Sequence, residues 1–156
     1  MTHSSSSDFD FFIGDWHVHN RRLRERLVGC DDWETFDGTS HARHILGGLG
    51  NIDEASFDRA TGRFEGCTLR LFNPAAQEWS LYWSDNLSGI LFPPMIGKFK
   101  DGVGEFYAQE INNNQTVLSR FIWNGITLSA CHWEQALSAD GGRTWETNWT
   151  MDFTRA

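Results

Sequence analysis

Arg120, Tyr107, Gln109, Gln135, Trp133 and Trp149 are the residues whose types could together hold a ligand. A guanidinium forks onto a carboxylate or phenolate, amides add directed hydrogen bonds, and indoles sandwich a flat apolar body. An Arg that faces the interior needs such a counter-charge, because an unpaired buried charge is very costly. Its alternative partner is internal, Glu105 or Glu110. With Tyr107 as proton donor, Arg120 as anchor and Glu105 as acid, the same set could run cofactor-independent decarboxylase, hydratase or cyclase chemistry. No Ser-His-Asp, Cys-His or nucleophile-elbow pattern is present, so no catalytic residue is assigned.

Other chemistry-bearing groups have plainer readings. His17 and His19 stand i,i+2 on one strand face, with His41 and His44 nearby, as metal ligands can. If Trp16 points inward, both His17 and His19 point outward, and no acidic third ligand has a place. No metal site and no cofactor are expected. Leu46-Gly47-Gly48-Leu49-Gly50 is glycine-rich but precedes no helix, so it reads as a strand corner and not a phosphate loop. Between Asn86 and Lys98 an apolar stretch is interrupted by Pro93-Pro94. It reads either as a lid over a barrel mouth or as a packed edge.

The candidate ligand residues meet only if the strands that carry them share a sheet and a face. Helical periodicity is confined to a short helix over Asp8 to Ile13, capped by Ser7 or Asp8. The rest reads as strands near 15–25, 33–46, 51–58, 64–72, 78–85, 90–99, 103–111, 116–124, 127–137 and 145–155. Phe57 to Phe64 and Phe72 to Trp79 look like two similar hairpins, each with an Asx residue after an aromatic. Ser138-Ala139-Asp140-Gly141-Gly142-Arg143-Thr144-Trp145 matches an Asp box, a hairpin known from sialidase propellers. One copy in a chain of this length marks a hairpin and not sialidase activity.

That hairpin sets a register. Leu137 opposite Trp145 puts Gln135 opposite Thr147, Trp133 opposite Trp149 and Cys131 opposite Met151, all facing inward with Phe153. A two-residue turn at Asn124-Gly125 then places Trp123 opposite Ile126 and Arg120 opposite Ser129. Arg120 would point inward, joined by Tyr107 and Gln109. Phe121 and Trp123 would form an outer apolar strip, a seat for the helix or a homodimer contact. One bulge would reverse every such assignment.

Composition narrows the class. Eight Trp, 12 Phe and 2 Tyr in 156 residues exclude a disordered chain. No apolar run approaches the roughly 18–20 residues of a membrane helix. The net charge of −8 supplies no basic excess for nucleic acid, so neither nucleic acid nor membrane is an expected partner. Arg21, Arg22, Arg24 and Arg26 precede Asp31, Asp32 and Glu34, which reads as two strand ends whose charges pair across a loop. Three cysteines without CxxC spacing argue against a disulfide framework. The N-terminus has no signal-peptide pattern, so a cytoplasmic location is expected. Residues 1–7 read as a disordered tail before one β-barrel domain over 8–156.

Phe12-Ile13-Gly14-Asp15-Trp16 resembles the G-x-W start of lipocalin-like (calycin) β-barrels. Gly38-Thr39-Ser40, Leu46-Gly47-Gly48, Leu71-Phe72-Asn73-Pro74-Ala75, Trp83-Ser84-Asp85 and Phe153-Thr154-Arg155 follow in order. Together they resemble a bacterial family of such barrels. The resemblance implies that Trp16 plugs one barrel end and that Arg155 packs over it. It implies a cavity but brings no catalytic residues, and the chain departs from lipocalins in lacking a C-terminal helix. Some small barrels of this kind bind haem, which would need an inward His that the registers do not provide.

The expected fold is therefore an all-β, antiparallel, lipocalin-like barrel of about ten strands with a short N-terminal helix. Closure removes the two open edges of such a sheet, and eight to ten strands leave room for about one small ligand. The leading expectation is a barrel that binds a small, largely apolar, aromatic and anionic ligand. A cofactor-independent enzyme and a homodimeric interaction protein are the alternatives.

Overall fold

The computed structural model describes residues 4–156. Five strands make up the first half: β1 (Gly14–Leu23), β2 (Trp33–Ile45), β3 (Gly50–Arg59), β4 (Gly62–Asn73) and β5 (Glu78–Asp85). The second half comprises β6 (Met95–Lys100), β7 (Val103–Asn112), β8 (Gln115–Asn124), β9 (Ala130–Ser138) and β10 (Glu146–Arg155). Each pairs antiparallel with its sequence neighbours, and β1 pairs with β10 to close the barrel. Strands of alternating character bury one face this way and leave no edge open. On β1, Trp16, Val18 and Asn20 are buried, while His17 and His19 are exposed.

One end of the barrel is closed. A 3-10 turn, Asp10–Phe12, stands where a longer helix was expected. It carries Phe9 and Phe12 into the core. Phe12 stacks on Trp16 with ring centroids 5.5 Å apart, and the Trp16 indole donates to the Phe12 carbonyl at 2.8 Å. Arg155 lies over the other side of Trp16, as the resemblance implied. Asp8 does not cap the turn; its carboxylate accepts from the Ser5 amide and the Trp79 indole. The tail expected over 1–7 lies outside the described residues for 1–3, and Ser4 is buried beside Phe99. Beneath this plug, Arg70 pairs with Asp53 at 2.8 Å and donates to Asn51 at 2.9 Å. Its guanidinium lies 5.1 Å from both the Phe9 and Phe12 rings, so a fully enclosed cation is met by acceptors and π-faces together.

Two expected registers change, and both changes have local causes. The β8–β9 connection is no two-residue turn. It runs through 125–129, where Thr127 accepts from the Ser129 and Ala130 amides and sets Trp123 opposite Trp133. The Asp-box hairpin sets Leu137 opposite Glu146 and not Trp145, and an irregularity between Thr147 and Trp149 adds one residue more, so that Gln135 lies opposite Trp149 and Trp133 opposite Met151. The two-versus-one count of a bulge turns Trp145 outward and brings Asn148 and Trp149 in together. Phe121 and Trp123 therefore face the core, and the expected outer strip does not exist: Trp123 packs against Phe12 and Phe153, Phe121 against Trp133. Arg120, one residue out of phase, faces outward.

The two aromatic hairpins agree in their aromatic pairs, Phe57 opposite Phe64 and Phe72 opposite Trp79, but not in their turns: two residues separate Arg59 from Gly62, and four separate Asn73 from Glu78. In the second, Asn73 accepts from the Ala75 and Ala76 amides, the expected Asx turn. The Asp box is also formed. Asp140 accepts from the Ser138 hydroxyl, from the Arg143 and Thr144 amides, and from the Thr144 hydroxyl.

Candidate functional site

The end opposite the plug is bordered by the loops at 24–32, 86–94 and 139–145 and by the tight turns after β3 and β7. Alternation along β1 carries Asn20 and then Arg22 into this end. Arg22 holds its guanidinium 4.5 Å from the Trp149 ring centroid. No carboxylate among the described residues makes an ion pair with it. The nearby Glu34, itself buried, gives its Oε1 to Arg59 through contacts of 2.9 and 2.8 Å, while its Oε2 lies 3.6 Å from Arg24 and makes no hydrogen bond. Burial, together with the like charges of Arg26 and Arg59, holds the Arg22 pKa below its ordinary value.

Around Arg22 the wall is aromatic. Trp133 and Trp83 meet Trp149 edge-on at 5.6 and 6.4 Å, and Phe57 meets it at 6.0 Å. Gly66 makes the seat for Trp83, because a Cβ there would stand 2.0 Å from the indole. Thr68, Trp83, Ala108, Phe121 and Gln135 point inward but stay only partly buried. Asn20 accepts from the Trp149 indole at 2.9 Å, and Asn148 accepts from Gln135 at 2.8 Å. Both Asn residues are fully buried, and the amide nitrogen of each donates to no acceptor among the described residues. The rim carries exposed Val28, Leu87, Ile90, Leu91 and Ile111, with Leu87, Ile90 and Leu91 in the apolar stretch expected to be a lid or an edge.

The expected site residues are thus divided between the two faces of the barrel. Trp133, Gln135 and Trp149 line the interior. Tyr107 and Gln109 do share a face with Arg120, Tyr107 standing opposite Arg120 and Gln109 opposite Leu118, but that face is the outer wall and not the interior where all three were expected. There Arg120 lies 4.3 Å over Trp145, and Tyr107 donates to Glu105 at 3.0 Å. The Tyr-Arg-Glu set is assembled, but outside and not within the cavity. Burial and the Glu105 carboxylate push the Tyr107 phenol up, which opposes proton donation near neutral pH. Missing from the expected set are Arg22, Asn20 and Trp83. The signal for the first two was present: once Trp16 is inside, a period of two puts Asn20 and Arg22 inside as well.

The histidines sit where the register of β1 puts them. His19 pairs with Asp37 at 2.9 Å and His41 with Asp15 at 2.6 Å, both across the outer face. Among the described residues no group of three or more His, Cys, Asp or Glu is arranged to hold a metal. A trough of about 640 Å³ crosses the outer face of β1 to β5, lined by Asp15, His41, Glu54, Glu65, Cys67 and Ser84 among others. It is open to solvent, and its His41 and Asp15 already satisfy each other, so the barrel mouth is the better candidate. No helix is long and apolar enough to cross a membrane among the described residues.

No protein-family model matches the chain, and no curated protein matches it in sequence. Solved structures do. The S-type phycobiliprotein lyase CPES from Guillardia theta superposes with a TM-score of 0.60 at 8% identity, over 95% of this chain and 90% of that one. EF1p2_mFAP2b bound to DFHBI superposes with a TM-score of 0.52 at 10% identity, over 97% of this chain and 98% of that one. At such identities the likeness is one of fold, and it covers nearly the whole of each chain: this chain is a closed, ten-stranded, lipocalin-like barrel.

Proposed function

We propose that the barrel binds a small, flat, largely apolar ligand with one anionic group, held in the half opposite the plug. The observation that carries this is Arg22, a guanidinium inside the mouth that stacks on Trp149, makes no ion pair with a carboxylate, and is only partly offset by the more distant charges of Glu34 and Asp85. Trp83, Trp133 and Trp149 supply flat walls, and Gln135 a directed polar contact. In this reading Arg22 takes the role of anchor that the sequence assigned to Arg120. The two solved structures support it at the level of fold, since one is a barrel of this shape bound to DFHBI.

Titration with 2-naphthoate, followed by tryptophan fluorescence, tests the reading. Saturable quenching is expected. A charge-assisted contact is worth about 1.5–3 kcal/mol, so Arg22→Gln should weaken binding at least roughly tenfold. The same change should leave the thermal midpoint of the empty protein no lower, because it removes an unpaired, partly desolvated charge. Arg120→Gln, on the outer wall, should not alter binding. Absence of saturable quenching across a panel of planar aromatic acids would end the proposal.

A further inference from the structure

We infer that the ligand of this site carries a second polar group, a hydrogen-bond acceptor such as a ring carbonyl, read by Asn20 and Asn148. This rests on the binding reading above and specifies its ligand class. An indole N–H can only donate, so the bond from Trp149 fixes the Asn20 amide with its oxygen toward Trp149. The Asn20 Nδ2 is then left as a fully buried donor without an acceptor. Asn148 directly precedes Trp149 and leaves a second such donor once its oxygen has accepted from Gln135. Buried amide donors are nearly always paired in folded proteins, and two orphans beside one indole are a cost that something must offset.

The neighbouring unmatched group, Arg22, is also a donor. Glu34 Oε2, opposite Arg22 on β2, is a buried acceptor without a hydrogen bond, so the donors left for a ligand are the Asn20 and Asn148 amides and the part of the Arg22 guanidinium that does not face Glu34; these call for an acceptor on the ligand. Arg22 is the next inward residue after Asn20 on β1, and it occupies the face of Trp149. When it swings to meet the ligand's anion, the indole face is freed for the flat body. The acceptor then reaches the amides at the edge of that face. A carbonyl fits this role with both lone pairs free; a hydroxyl oxygen could also accept, but it brings a hydrogen that these donors cannot receive.

Two matched bicyclic acids separate this inference from the reading beneath it. Chromone-2-carboxylate has a flat body, a carboxylate and a ring carbonyl. The 2-naphthoate probe has the first two only. Wild-type protein should bind the chromone roughly tenfold tighter, the worth of one or two neutral hydrogen bonds. The infrared carbonyl stretch of the bound chromone should move to lower frequency. Asn20→Leu and Asn148→Leu should each bring the ratio of the two affinities toward one, whatever the loss of the Trp149 or Gln135 bond does to binding of both acids together. If both acids bind alike and Arg22→Gln weakens both, the acceptor inference fails and the anionic site stands. If neither acid binds, both fall. The wild-type ratio and the carbonyl shift decide the matter even if a Leu variant does not fold.

Discussion

The Arg155 guanidinium lies 4.1 Å from the Trp16 ring centroid and donates to the carbonyls of Phe11, Ile13 and Leu128 at 2.7, 2.9 and 3.0 Å. One side chain near the end of the chain thus ties the N-terminal plug to β1 and to the β8–β9 loop. A lysine cannot reproduce that fork. Arg155→Lys should destabilise by about 1–2 kcal/mol, the sum of an exposed cation–π contact and lost charge-assisted bonds. Gly14 shares the same corner: its φ is 122°, and a Cβ there would stand 2.8 Å from the Arg155 guanidinium. Gly14→Ala should cost about 1–3 kcal/mol from backbone strain alone. In urea titrations the double variant should lose less than the sum of the singles, since shortening Arg155 removes the clash. Strict additivity would show that the two residues do not share this contact.

This corner was legible only through the resemblance to lipocalin-like barrels, since no spacing within the chain brings Trp16 and Arg155 together. The strand alternation was legible from the chain itself, because period-two patterning needs no long-range information. That Tyr107, Gln109 and Arg120 share one face was also readable. What failed was which side of the wall they occupy. That depends on the parity of the connection through 125–129 and on the bulge at Asn148, each of which changes the count by residues no propensity marks. Arg22 was hidden differently. Within a run of four arginines it looked like surface charge, and Arg24 does pair with Asp32 across the loop at 3.1 Å. Only counting inward from Trp16 separates Arg22 from its neighbours.

The Asp box offers a pH test that does not involve the cavity. Hydrogen bonds from Thr144, then Ser138 and Arg143, hold the Asp140 carboxyl down to about 2, from an ordinary value of 3.8. A carboxyl depressed in the folded state contributes stability that is complete above its unfolded value. That contribution is lost as the pH falls from about 4 toward 2. Thermal midpoints of wild type should therefore drop across this window more steeply than those of Asp140→Asn, which cannot titrate. Above pH 5 the two curves should run parallel, with the variant lower because an amide cannot accept the same set of bonds. Equal slopes below pH 4 would mean that Asp140 is not held in the folded state by these donors.

Gly66 and Gly97 both sit inside the barrel wall without room for a Cβ, but they differ in what they would strike. At Gly97 the added carbon would stand 1.8 Å from the Glu105 carbonyl oxygen and 2.7 Å from the Phe106 Cα, both in backbone. The β6–β7 pairing would have to part, and β6 is the shortest strand of the barrel, with six residues. At Gly66 the carbon would meet only the Trp83 ring, at 2.0 Å. A side chain can turn away where a paired strand cannot. Gly97→Ala should therefore lower the thermal midpoint more than Gly66→Ala. Gly66→Ala should instead push Trp83 out of its seat beside Trp149, alter the intrinsic fluorescence and weaken 2-naphthoate binding. If Gly66→Ala leaves binding intact while the fluorescence shows that Trp83 has moved, Trp83 is not part of the ligand's wall, and the walls reduce to Trp133 and Trp149.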